Sequence, residues 1–141
     1  PMYYFGYGLS YSKFEYSGLQ APDKVNLREL EDFEISVNVA NTSDRDGYEI
    51  VQVYVADVAS NVPRPLKELK AFKKVWVAAG ISQKVKFVLD KYALSYWSEI
   101  EQAWLAEEGA FKIIVATSSD PKDERLRADL ELVNNFVWHG I

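Results

Sequence analysis

A hydrophobic period of two governs most of this chain. In DFEISVNVANTS, residues 32–43, Phe33, Ile35, Val37 and Val39 are apolar while Glu34, Ser36 and Asn38 are polar, the alternation of a half-buried β-strand. YEIVQVYVAD sets Val51, Val53 and Val55 on one face and Ile50, Gln52 and Tyr54 on the other, the pattern of a more central strand. SQKVKFVLD alternates Val85, Phe87 and Leu89 against Lys84, Lys86 and Val88, and AFKIIVATSS repeats the device with Phe111, Ile113 and Val115. KELKAFKKVWV places Leu69, Ala71, Phe72, Val75 and Val77 among lysines with a less clean period, which predicts a bulge near Ala71–Phe72. Turns rich in Gly, Asn, Asp and Ser separate these runs, so the expectation is an all-β chain folded as an antiparallel β-sandwich. Val37, Val53, Phe87, Phe111 and Ile113 should meet between its facing sheets. SDRDGYE reads as a hairpin turn, because Asp and Gly are what tight turns require. The best helical candidate is YALSYWSEIEQAWLAEEG, where Leu94, Trp97, Ile100 and Trp104 are spaced by three and four, set against a loop with one short turn.

At 141 residues the chain fits one domain that buries roughly two-thirds of its unfolded surface. Its net charge of −5 and lack of any long basic run argue against a nucleic-acid partner. The absence of cysteine removes disulfides, thiolate metal sites and thiol nucleophiles. No apolar run reaches the ~20 residues of a membrane span, and the N-terminus lacks the pattern of a secretion signal, so no membrane partner is expected. Pro1 in the first position reads as the start of a fragment or a processed piece.

Catalytic chemistry is hard to place on these residues. The single histidine, His139, lies two positions from the C-terminus, where a surface role is the ordinary one. Asp44 and Asp46 precede Gly47 too closely for a calcium loop of the EF-hand type. Gly6 and Gly8 lack both the third glycine and the strand-to-helix setting of a phosphate loop. The acidic clusters are Glu99 with Glu101, Glu107 with Glu108, and Asp120 with Asp123 and Glu124. Each sits in a polar, turn-like stretch and reads as solvated charge rather than a glycosidase pair. Trp76, Trp97, Trp104 and Trp138 are read as sandwich packing, with sugar stacking as the alternative. No cofactor and no metal ligand set is expected.

The motifs FGYGLSYSKFEYS, RPLKELKAFKKVWV, YALSYWSE, AWLAEEGAFKIIVATSS and the closing FVWHGI occur in one order from end to end. Together they resemble the C-terminal fibronectin type III-like domain of glycoside hydrolase family 3 enzymes, most of all the β-glucosidase branch. Departures are minor. Tyr4–Phe5 stand where the family often has a proline, and Ala71 and Ala116 replace common glycines. The resemblance implies a sandwich of the immunoglobulin and fibronectin type III class that is not itself catalytic. The parent would hydrolyse terminal β-glucosides with retention, and its nucleophilic Asp and acid/base Glu belong to upstream domains and match no residue of this chain. The implied partners are those upstream catalytic domains, with a homo-oligomer contact as an additional role. Two rival readings are a carbohydrate-binding module with exposed aromatic rings in a flat row, and a general protein-interaction domain. Glucoside and xyloside specificity are not distinguished. Nor is a cytoplasmic from a secreted location, since the Asn41-Thr42-Ser43 acceptor pattern for a glycan and the lack of cysteine point opposite ways.

The opening PMYYFGYGLSY then acquires a role. Residues 1–13 are expected to form an aromatic strap leading from the preceding domain into the sandwich of residues 14–141. Tyr4, Phe5, Tyr7 and Tyr11 would be its interdomain contacts, with Gly6 and Gly8 permitting unusual backbone turns.

Overall fold

The alternating segments become strands, and their apolar faces meet in one core. The computed structural model describes residues 13–58 and 67–140. In chain order the strands are β1 (Phe14–Gln20), β2 (Lys24–Val25), β3 (Asp32–Asn41), β4 (Gly47–Asp57), β5 (Glu68–Val77) and β6 (Ser82–Asp90). There follow β7 (Tyr96–Ser98), β8 (Ala103–Ala106), β9 (Gly109–Ala116), β10 (Glu124–Leu132) and β11 (Phe136–Trp138). Two 3-10 turns, Lys91–Leu94 and Pro121–Asp123, are the helical elements among the described residues.

A three-stranded sheet ordered β1-β3-β6 faces a five-stranded sheet ordered β2-β10-β9-β4-β5, and a small third sheet, β11-β8-β7, closes one end. All pairings are antiparallel except the two-residue β2–β10 contact. Ile35, Val37 and Val39 of β3 and Val85, Phe87 and Leu89 of β6 pack onto Val51, Val53 and Val55 of β4 and Phe111, Ile113 and Val115 of β9. The five residues expected in the core are all buried and divide between the two facing sheets. At about 25 cal/mol per Å² of apolar surface, burial of this face is the main stabilising term in a chain without disulfides.

Two expectations are corrected. The SDRDGYE turn is not a hairpin, because β3 and β4 belong to opposite sheets. The segment is a crossover built around Asn41. This buried side chain donates Nδ2 to Arg45 O (2.7 Å) and Val77 O (2.9 Å), while its Oδ1 accepts from Ser43 N (3.0 Å) and Ser43 Oγ (2.7 Å). Asn41 also donates its backbone N–H to Ile81 O and accepts from Gly80 N. The second crossover, between β5 and β6, is thereby tied to the first. Gly80 sits there at φ +73, a value that a side chain would strain. With both Nδ2 donations spent on the crossover, the glycan acceptor pattern at Asn41 is a buried structural amide in the folded domain.

The second correction concerns residues 92–109. The three-and-four spacing there is not helical. The chain makes a single 3-10 turn, capped by Asp90 accepting from Tyr92 N at 3.0 Å, and then a β7–β8 hairpin. Trp97 and Trp104 sit opposite each other across that hairpin, and Ile100 at its tip is 92% exposed. The bulge foreseen near Ala71–Phe72 falls next door. Val53 pairs with Ala71 and Tyr54 with Leu69, leaving Lys70 as the extra residue. In β1 a register shift coincides with Gly18 at φ +63, where an added Cβ would come within 2.6 Å of Asn38 Nδ2.

Candidate functional site

The acidic clusters are dispersed and structural. Glu99 and Glu101 lie in the exposed β7–β8 turn, where Glu99 Oε2 accepts from Trp97 Nε1 at 2.6 Å and Glu101 N donates to Ser98 Oγ at 3.1 Å. Gln102 completes the turn at φ 52. Glu108 is exposed, with its N–H donated to Asn135 Oδ1 at 2.8 Å. Glu107 is half-buried, and its Oε1 is shielded without a hydrogen-bond partner among the described residues. Asp120 caps the Pro121–Asp123 turn, accepting from Lys122 N, and Asp123 Oδ2 accepts from Ser118 Oγ at 2.7 Å. Glu124 is gripped by Arg127 (2.7 Å) and Lys67 (3.1 Å). The Arg127 hydrogen bond above all holds its carboxyl below the ordinary range. Such a group suits an ion pair, not a general acid, whose pKa must be raised. His139 is exposed, and the described residues hold no cluster of three or more candidate metal ligands.

One acid is tuned upward, and sequence reasoning passed over it. Glu49 points between the sheets at the end of β4, and its Oε2 accepts from Tyr16 Oη of β1 at 2.6 Å. Burial raises its pKa, outweighing the Tyr16 hydrogen bond and the attraction of Arg125. Burial and Glu49 likewise push the Tyr16 hydroxyl upward. This pair links the two sheets, and no second carboxylate contributes to its shift.

The tryptophans fall into two groups. Trp104 and Trp138 stack at 5.2 Å with 8° between planes, Tyr92 meets both edge-on, and Trp97 meets Trp104 at 70°. Trp138 is buried, with Nε1 donated to Ser95 Oγ at 3.1 Å and Lys91 Nζ 4.3 Å from its ring. This assembly packs the small third sheet; its stacked pair is an internal joint, not a sugar platform. An open groove of about 600 Å³ beside it is lined by Leu27–Glu31, Asp90, Lys91 and Phe136.

The second group lies on the outer face of the β4–β5 ribbon. Register places Tyr48 opposite Trp76, Ile50 opposite Lys74 and Gln52 opposite Phe72, with Leu69 beside Tyr54. Tyr48 (59%), Phe72 (66%) and Trp76 (50%) are open to solvent, and Ile50 and Leu69 are nearly as exposed. Tyr48 and Trp76 meet at 67°, so their rings form no flat row. The sequence carried a signal for this strip, because β4 and β5 are apolar on both parities of the period. The anticipated strap residues Tyr4, Phe5, Tyr7 and Tyr11 lie outside the described residues.

Known proteins agree with this architecture. The model of a family described as the fibronectin type III-like domain matches residues 49–119. The chain is 44% identical to the thermostable beta-glucosidase B of Acetivibrio thermocellus, over 84% of this chain and 16% of that protein. It is 37% identical to a probable beta-glucosidase I of Aspergillus fumigatus, over 100% of this chain and 17% of that one. Among solved structures, the GH3 beta-glucosidase of Bifidobacterium adolescentis superposes with a TM-score of 0.78 at 41% identity, covering 91% of this chain and 18% of that chain. The chain thus spans about a sixth of the length of the curated relatives it matches. On the family match and the two-sheet architecture together, the chain belongs to the fibronectin type III-like domain family.

Proposed function

We propose that this domain is a non-catalytic brace within a β-glucosidase-like enzyme, holding the parts that carry the hydrolytic carboxylates while supplying none itself. The carrying observation is proportion: relatives called beta-glucosidases align along 84% and 100% of this chain yet devote 16% and 17% of their own length to it. The dispersal of the acids supports the same reading, since retaining hydrolysis needs two carboxyl groups about 5–5.5 Å apart, one of them with a raised pKa. Residues 1–13 act in this reading as the aromatic strap between the sandwich of residues 14–141 and the domain before it, with Tyr4, Phe5, Tyr7 and Tyr11 buried in the junction.

The isolated chain is expected to turn over no aryl β-glucoside. Turnover abolished by a single substitution at Glu99, Glu101, Glu107 or Glu108 would overturn the reading. The strap is tested with Phe5→Ser and Tyr7→Ser together. The complete enzyme should lose thermal stability, while the isolated chain becomes more soluble and scarcely less stable. Unfolding of the isolated chain by this change would assign the strap to its own core.

A further inference from the structure

From the outer strip of the β4–β5 ribbon we infer a docking face for a different part of the same polypeptide, one that presents an apolar surface with a carboxylate to meet Lys74. This deepens the proposed bracing role and rests on it. Tyr48, Ile50, Leu69, Phe72 and Trp76 form one exposed band along the sheet edge, of a kind that soluble domains rarely leave open without a partner. Trp and Tyr are also the side chains that dominate binding energy at protein interfaces.

Charge decides the occupant. In the edge strand β5, Lys70 pairs with Glu68 and Lys73 donates to the Lys86 carbonyl, which leaves Lys74, opposite Ile50, as the cation of the band. Lys74 stands in the middle of the band, its Nζ 4.5 Å from the Tyr48 ring. A two-fold pairing of this face with a second copy would set lysine against lysine, and lysines along an edge strand are a device that discourages such pairing. A sugar chain would need coplanar rings, and the Tyr48–Trp76 angle of 67° denies it a platform. An apolar protein surface carrying a carboxylate satisfies both the rings and Lys74.

The test reads the accessibility of Trp76 to acrylamide, taken as the difference in fluorescence quenching between the parent sequence and Trp76→Phe, in the isolated chain and in the complete enzyme. Trp76 should be readily quenched in the isolated chain and protected in the enzyme. Protection already present in the isolated chain would mean that residues 1–12 or a second copy cover the band, and equal accessibility in both forms would mean that nothing does; either result overturns the inference. As a second readout, Phe72→Ser with Trp76→Ser should lower the melting temperature of the complete enzyme by several degrees and leave that of the isolated chain unchanged. Aryl β-glucosidase activity of the unsubstituted enzyme separates the two levels: its absence defeats the proposed function, whereas its presence with an unprotected Trp76 defeats only the docking face.

Discussion

The two faces of the five-stranded sheet are built from the same strands and both carry large apolar side chains, yet only one is fully covered. The inner face meets β3 and β6 and buries Val53, Phe111 and Ile113. The outer face is covered by the protein's own charged side chains over its centre alone. There Tyr54, Ile114 and Ala116 form a small buried cluster. Lys67 reaches over the Tyr54 ring and pairs with Glu124, which Arg127 holds from the other side. Lys112 and Asp129 form a further ion pair beside it. Toward the β5 edge this cover stops, and Tyr48, Phe72 and Trp76 remain open. Apolar content therefore does not distinguish core from interface in this sheet; what distinguishes them is which side chains the chain itself supplies as a lid.

The largest expected effect sets two phenylalanines of one sheet against each other. Phe111, 2% exposed on the inner face, should cost about 3–5 kcal/mol when changed to alanine, as cavity-forming core substitutions do. Phe72→Ala on the outer face should cost about 0.5 kcal/mol or less in the isolated chain. Urea unfolding of both variants measures the gap, and equal losses would erase the contrast between faces.

Next comes Asn41, whose side chain ties both crossovers at the end of the core. Asn41→Ala removes the buried donation to the Val77 carbonyl, while Arg45 O keeps Ser43 Oγ, and should cost about 2 kcal/mol by the same measurement, since buried groups that lose their partners carry a desolvation penalty.

Much of the inner face was legible in the sequence, because a strand half-buried on one side writes its orientation as alternation. Phe33 to Val39, Val51 to Val55, Val85 to Leu89 and Phe111 to Val115 all point inward as that rule requires. What alternation does not encode is the identity of the neighbouring strand. β3 and β4 look like the arms of a hairpin around Asp46–Gly47, yet they belong to opposite sheets, a choice made by the buried hydrogen bonds of Asn41. The strand β10 was missed because ERLRADLEL is rich in charge, although Leu126, Ala128, Leu130 and Leu132 alternate through it. In residues 92–109 the spacing of Trp97 and Trp104 imitates a helix only because a seven-residue separation also places two residues opposite each other across a hairpin. The Tyr16–Glu49 bridge left no local signal, its partners being 33 residues apart.

That bridge gives a pH signature by which inner and outer carboxylates differ in sign. Burial raises the pKa of Glu49 in the folded state, so its contribution is fully present below the unfolded value of about 4.5 and is lost as pH rises through the higher folded value. Glu124 on the outer face is lowered, so its contribution is present above its unfolded value and is lost as pH falls through the lower folded one. Glu49→Gln should accordingly flatten the decline in stability from mildly acidic toward neutral pH, and Glu124→Gln should flatten the decline toward strongly acidic pH. Melting temperatures across that range check both, and a Glu49→Gln profile parallel to the original would remove the bridge from the account.

The smallest effect is expected where the outer face is covered by charge. Arg127→Ala should lower stability by less than about 1 kcal/mol, and added salt should reduce the difference, because its guanidinium remains largely in solvent. A loss as large as that of Asn41→Ala would mean that the charged cover is part of the core.

The central claim, that the β4–β5 band serves a partner and not the fold, is tested most directly by sedimentation and thermal melting of the isolated chain carrying Phe72→Ser and Trp76→Ser together. An unchanged melting temperature and unchanged sedimentation are expected, since the substitutions remove exposed apolar surface that no second copy covers and leave the inner face intact. A marked fall in melting temperature would contradict the claim by placing the two rings within the stability of the sandwich itself, and weaker self-association would contradict it by assigning the band to a second copy.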